Sequence, residues 1–215
     1  MSVTVIQHVL ARLRDIGVTN IFGVPGDYAF PVNDAICEFP GVRWVGCCNE
    51  LNAAYAADGY ARVKGIGAIN TTYAVGELST LAGVAGAYAE HVPLFHLVGS
   101  PPVPLQSAHA IAHHTLGNGE YNLFQKMSEP LSCALAVITP QNVVFETERL
   151  IAAALYPAAA ARFRELSDLR SLWEKSCRQA GDGVKHGLIH EHSREWESRR
   201  VDHRLHRRLQ ARARD

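Results

Sequence analysis

No stretch of this 215-residue chain reaches the roughly 18 consecutive apolar residues that a membrane-spanning helix needs. No basic segment with an apolar core opens it, as a secretory signal would. The expectation is a soluble, cytoplasmic protein. Cysteine is sparse and unpatterned: Cys37, Cys47, Cys48, Cys133 and Cys177 are odd in number, and none falls in a Cys-x-x-Cys or zinc-ligand spacing. This argues against a disulfide framework and predicts small, buried thiols in a reducing compartment. Net charge is lacking too, because 21 Lys and Arg balance 21 Asp and Glu. Neither nucleic acid nor a membrane surface is therefore expected as partner. Proline is missing altogether beyond Pro157.

What is present divides unevenly. Hydrophobic residues make up 47% of the chain, enough for one core of ordinary size. Residues 1–157 carry 7 Lys and Arg against 12 Asp and Glu, whereas residues 158–215 carry 14 against 9. A balance of −5 beside one of +5 marks two segments of different origin or role. The expected organisation is one domain over 1–157 and an Arg-rich extension, helical or irregular, over 158–215.

Within the first segment, helical and strand-like patterns alternate. Apolar residues at 3, 5, 6, 9, 10, 13 and 16 predict an amphipathic helix over Val3–Ile16, ended by Gly17. Strands are predicted at Thr19–Val24, Gly41–Gly46, Ala68–Tyr73 and Leu94–Val98, with a fifth at Leu131–Val137. Helices are predicted at Tyr28–Glu38, Asn49–Val63, Gly76–Glu90 and Tyr121–Met127, and from Pro140 to Leu155. Ser100–Glu120 reads as a long polar loop. Strand–helix units of about 25–30 residues imply parallel crossovers, hence an α/β fold with helices on both faces of a parallel sheet.

Five strings stand out: FGVPGDY (22–28), WVGCCNELNAAYAADGYAR (44–62), VGELS (75–79), GAYAEHVPLFHLVGSP (86–101) and HHTLGNGEY (113–121). Together they resemble the N-terminal, pyrimidine-binding domain of thiamine diphosphate-dependent 2-keto acid decarboxylases, the pyruvate, indolepyruvate and phenylpyruvate decarboxylase group. The resemblance runs from about Val3 to Leu155. FGVPG is shared with acetolactate synthases and benzoylformate decarboxylases, and the His-His pair followed by NGEY narrows the match.

The resemblance assigns roles. Glu50, otherwise a first-turn helix residue, matches the glutamate that hydrogen-bonds the cofactor's aminopyrimidine. There a carboxyl in a dry cleft shares a proton with a ring nitrogen, which equips the cofactor to act as electron sink when CO2 leaves. Asp27, otherwise a turn or N-cap aspartate, matches the active-site aspartate. His113 and His114 match the pair lining the substrate end, where Asp and His can move a proton to the product carbon. Two adjacent histidines do not by themselves make a metal site, and none is expected. Thr72, Val75 and Gly76 match the segment approaching the pyrimidine, with a tight turn as the alternative reading. Glu77 is expected to be structural.

The expected cofactor is thiamine diphosphate, held at its pyrimidine end only. Magnesium is expected only with a further domain carrying Gly-Asp-Gly and a later Asn; Gly-Asp-Gly occurs once, at 181–183, inside the Arg-rich extension, and no Asn follows it. In the family the two halves of the site come from opposite subunits. The expected partners are therefore a 2-keto acid, a second copy, or a chain with the diphosphate-binding domain. The substrate stays open among pyruvate, indolepyruvate, phenylpyruvate and branched-chain keto acids.

After Tyr156-Pro157 the pattern stops. Twelve arginines fall between 162 and 215, where the family has a short Pro-Val-Tyr-Ile-type strand. Such texture is what a shifted frame in a GC-rich gene produces, so a truncated decarboxylase fragment, inactive alone, is one expectation. A split-enzyme half and a non-catalytic module that pairs with a decarboxylase are the others. Leu166, Leu169, Leu172 and Trp173 have helical spacing. His186, His190 and His192 lack an acidic or Cys partner at metal-site spacing. The basic end reads as a solvated helix.

Overall fold

A computed structural model describes residues 3–155. Four parallel strands, β1 (Asn20–Gly23), β2 (Arg43–Gly46), β3 (Gly67–Thr71) and β4 (Leu94–Val98), form one sheet in the order β2-β1-β3-β4. Register runs Asn20 opposite Arg43 to Gly23 opposite Gly46, and Gly67 opposite Leu94 to Thr71 opposite Val98. β1 leads first to β2 on one side, and β3 then returns to pair with the other edge of β1. The strand order thus reverses between β1 and β3, and a crevice outside the carboxyl ends of such strands is where open α/β sheets bind ligands.

Alternation along the strands supplies two apolar faces. Ile21, Ala68 and Phe95 join Leu10 and Leu13 of α1 (Val5–Asp15), Ile36 of α2 (Phe30–Glu38) and Ile151 of α7 (Val143–Leu155) in one core. Phe22, Ile69 and Val45 face the other way, onto Ala53, Ala54 and Ala57 of α3 (Glu50–Lys64) and Val84 of α4 (Val75–Ala89). The sheet is therefore covered on both faces, as the period-2 pattern requires.

Local signals account for the helix ends. Thr4 caps α1 in a reciprocal box with Gln7. Asn49 accepts the Asn52 amide at 2.8 Å and so starts α3 with Glu50 in its first turn. Gly65, at φ 88°, ends the same helix in the left-handed region. An ion pair from Arg12 to Glu148, at 2.5 Å, joins α1 to α7.

Four expectations are corrected. Leu131–Val137 forms no strand: a 3-10 turn over Glu129–Leu131 leads into irregular chain. Among the described residues the segment pairs with no strand, and β4 is left as an edge of the sheet. The loop after β4 contains a short helix, α5 (Val103–Ser107), and α6 (Leu123–Ser128) follows it. Helix α7 begins at Val143, not at Pro140. Three thiols are not core residues: Cys37, Cys48 and Cys133 are exposed, whereas Cys47 is half-buried and packs against the Phe22–Ile69 core. Cys177, the Leu166–Trp173 stripe and the histidines of the extension lie outside the described residues.

Candidate active site

Four segments converge at the carboxyl ends of the strands: the turn after β1 with Asp27, the start of α3 after β2 with Glu50, the turn after β3 with Thr72–Gly76, and the loop after β4 with His113 and His114. Close approach of small residues binds the turns together. A methyl group at Gly26 would lie 2.4 Å from Thr72 Cβ, so only glycine lets the β1 turn pack on the β3 turn. A methyl group at Gly76 would sit 3.1 Å from Thr72 Cγ2 and 3.3 Å from Glu50 Oε1. The missing side chain at Gly76 thus leaves the Glu50 carboxyl beside bare backbone.

The β3 turn is strained. Ala74, the residue before α4, has φ 55° and ψ −86°, an unusual conformation for a residue with a Cβ. Its side chain is buried with Tyr73 and Phe124, the two rings lying edge to face at 5.3 Å. That packing over-determines the turn and aims Val75-Gly76 at the crevice. Thr72 is buried, and its hydroxyl oxygen has no hydrogen-bond partner. Glu77 points back into the protein, where the Ser128 hydroxyl donates to Oε1 at 2.7 Å. Burial raises its carboxyl above the ordinary range, opposed by the bonds from Ser128 and the Ala74 amide.

The histidine loop has little regular structure and is pinned by its own polar groups. Tyr121 donates to the Ala110 carbonyl at 2.5 Å, Tyr73 donates to the Tyr121 carbonyl at 2.8 Å, and His109 Nδ1 contacts the Gly119 carbonyl oxygen at 2.9 Å. Thr115 donates to the Ala112 carbonyl and accepts the Gly117 amide. His114 takes φ 60°. This arrangement delivers both imidazoles to Asp27: His113 Nε2 contacts Oδ2 directly, and His114 Nδ1 stands 3.8 Å from Oδ1. The Tyr28 ring stacks on His113 at 4.8 Å and meets His114 edge-on at 5.9 Å. Its hydroxyl lies 3.3 Å from His113 Nδ1. Burial acts to raise the Asp27 carboxyl, but the bond to His113, the Tyr28 amide and the charges of both histidines outweigh it and hold Asp27 below its ordinary value.

Asp27, Glu50, Thr72, Val75, Gly76, His113 and His114 therefore all lie at this end of the sheet. Asp27, His113 and His114 form one cluster; Glu50, Thr72 and Gly76 form a second, joined to the first through the Gly26–Thr72 contact. Val75 is half exposed and directs its side chain away from the protein interior. Two residues had no assigned role, Tyr28 and Ala74. Tyr28 closes the FGVPGDY string, so its position was legible; the strain at Ala74 leaves no trace in composition or spacing.

A parallel sheet with a glutamate, an aspartate and a histidine pair gathered over its switch point defines an α/β domain with a candidate ligand crevice. The family described as the N-terminal TPP binding domain of thiamine pyrophosphate enzymes matches residues 3–121, and this chain belongs to that family. It is 49% identical over 148 residues to an alpha-keto-acid decarboxylase of Mycobacterium leprae, covering 69% of this chain and 26% of that protein. It is 51% identical over 138 residues to a pyruvate decarboxylase of Hanseniaspora uvarum, covering 64% and 24%, and 50% identical over 138 residues to pyruvate decarboxylase isozyme 1 of Saccharomyces cerevisiae, with the same coverage. The chain spans about a quarter of the length of these relatives.

The crevice has groups that suit thiamine diphosphate, the cofactor of this family. It offers a carboxyl at Glu50, open backbone at Gly76 and an orphaned buried hydroxyl at Thr72, while Leu51 and Tyr55 expose apolar surface on the same helix as Glu50.

Proposed function

We propose that residues 3–155 form the pyrimidine-side half of the site of a thiamine diphosphate-dependent, non-oxidative 2-keto acid decarboxylase. The observation carrying this reading is the convergence of Glu50, Gly76 and Thr72 with the Asp27–His113–His114 cluster over one switch point. Thiamine diphosphate, when bound, supplies the nucleophilic carbon and the electron sink for loss of CO2. Glu50 would hold the aminopyrimidine through a shared proton, with the bare backbone of Gly76 and the unpaired Thr72 hydroxyl beside it. Asp27 and His113 hold a proton between Oδ2 and Nε2 and deliver it toward the product side, with His114 beside them and Tyr28 steadying the His113 ring.

The reaction needs a diphosphate-binding domain, with magnesium, across the crevice, whether carried by more of the same polypeptide or by another chain. The exposed apolar residues Leu51, Tyr55 and Val75 around Glu50 suit such a covering surface. Without that domain, these residues should not turn over a 2-keto acid.

The test is completion. The 215-residue chain is mixed with a diphosphate-binding domain from a related decarboxylase, thiamine diphosphate and magnesium, and CO2 release is followed over a panel of 2-keto acids. The chain alone should be silent and the completed site active. Glu50→Gln should lower turnover by at least about a hundredfold with unchanged far-ultraviolet dichroism. Equal turnover by the wild type and the Gln variant would sink the assignment. Pairing that survives in both, with no activity in either, would instead mark a non-catalytic module that docks on a decarboxylase.

A further inference from the structure

We infer that Asp27, His113 and His114 form a binding site for one divalent transition-metal ion of the zinc, copper or nickel type. The sequence shows only a vicinal histidine pair; the fold adds the carboxylate between them. One ligand-competent atom from each of the three residues lies within 4.8 Å of the others. Asp27 presents a different oxygen to each ring, Oδ2 to His113 Nε2 and Oδ1 to His114 Nδ1 at 3.8 Å. Neighbouring ligands on a tetrahedral zinc, at bond lengths near 2.1 Å, stand roughly 3.4 Å apart. The Asp27–His114 spacing is close to that value, whereas the direct His113–Asp27 contact is shorter and opens by side-chain rotation to admit an ion.

Three further observations favour an ion here. The His114 Nδ1 atom is shielded from solvent and has no hydrogen-bond partner, so a ligand bond would satisfy an otherwise unpaired nitrogen. The far nitrogen of His113 lies 3.3 Å from the Tyr28 hydroxyl, and the Tyr28 ring stacks on the imidazole at an interplanar angle of 15°. This is the outer partner that orients a ligating histidine. Two imidazoles and one carboxylate suit zinc, copper or nickel, whereas magnesium and calcium prefer all-oxygen shells. Three protein ligands also leave a coordination position open to water or an anionic ligand. The binding inference rests on this geometry alone. Its consequence, that the ion withdraws all three groups from proton transfer and inhibits turnover, rests on the decarboxylase reading.

The test is a titration of the 215-residue chain with Zn2+ and, for spectroscopy, Co2+, at several magnesium concentrations. Other histidines and the exposed cysteines set a background, which the triple variant Asp27→Asn, His113→Gln, His114→Gln measures. The wild type should bind one equivalent more than the triple variant. Each single ligand substitution should weaken that equivalent by at least about tenfold, and Tyr28→Phe by about tenfold or less. Bound Co2+ should show ligand-field bands without thiolate charge transfer, and excess Mg2+ should not compete. In the unmutated chain, zinc should perturb the ring resonances of His113 and His114 before those of other histidines, which keeps the test decisive if the variants unfold. Equal stoichiometry and affinity in a folded triple variant, or first perturbation at other histidines, overturns the inference. The readout is binding, so failure of the completion assay leaves it intact and success does not support it.

Discussion

Glu50 and Glu77 stand on different helices of one domain, yet burial gives them opposite tasks. Glu50 is half-buried beside the bare backbone of Gly76, where a ligand can reach it; Glu77 is 5% exposed and bonded to Ser128. A group whose folded pKa is raised contributes stability that is fully present below its unfolded value and lost as pH rises through the folded value. Glu77 therefore costs stability at neutral pH, where its charge is buried. Glu77→Gln keeps an acceptor for the Ser128 hydroxyl and removes that charge. The variant should match the wild type near pH ~4 and melt higher near pH ~8, with the gap opening as pH rises above the ordinary carboxylate range. Melting curves across that window check it, and a pH-independent difference would show that Glu77 does not carry a raised pKa. At this scale the sequence was informative in kind: Glu50, Asp27 and the histidine pair were recognisable by their strings, and a structural Glu77 agrees with its burial. Tyr28 stacking on His113 was not legible, because it joins residues 85 positions apart.

The elements of the sheet and its covering helices were readable to within a few residues, since each carries its own period and its own stop. β4 at Leu94–Val98 matches the expectation residue for residue. The turns between elements depend on what they touch. Gly26 sits against Thr72 so closely that a Cβ would collide with the Thr72 side chain at 2.4 Å. Gly26→Ala should push the two turns apart, cost about 1–3 kcal/mol, and move Asp27 away from His113. Chemical denaturation reads the first effect, and weakening of the pH-coupled shifts between the Asp27 carboxyl and the His113 ring in NMR reads the second. Wild-type stability in the Gly26→Ala variant, with that coupling intact, would show that the turn can yield. Leu131–Val137 illustrates the opposite case: its composition suits a strand, but a strand exists only where it pairs, and among the described residues this segment pairs with none.

Residues 3–155 bury one core on each side of the sheet, and Leu10, fully buried in α1, contacts the larger of them. Leu10→Ala should cost about 2–5 kcal/mol, a large part of the roughly 5–15 kcal/mol that a domain typically has. Urea unfolding followed by both tryptophan fluorescence and far-ultraviolet dichroism checks this. The two probes should report one shared midpoint, moved to lower urea in the variant. A shift below about 1 kcal/mol would mean that the core collapses around the cavity. The scale of the whole domain is also where the crevice arises: β3 returns to the far side of β1, and four loops distant in sequence meet above the reversal. Among the described residues no helix is long and apolar enough to cross a membrane. By itself the sequence determined the alternation of elements, the two apolar faces and the chemical types at the site, because periodicity and short strings are local properties. Only the tertiary structure decided that Asp27 stands between the two imidazoles, that Ala74 is held in a strained turn and that Cys37, Cys48 and Cys133 face outward, because these follow from which distant segments pack together and which groups that packing removes from water.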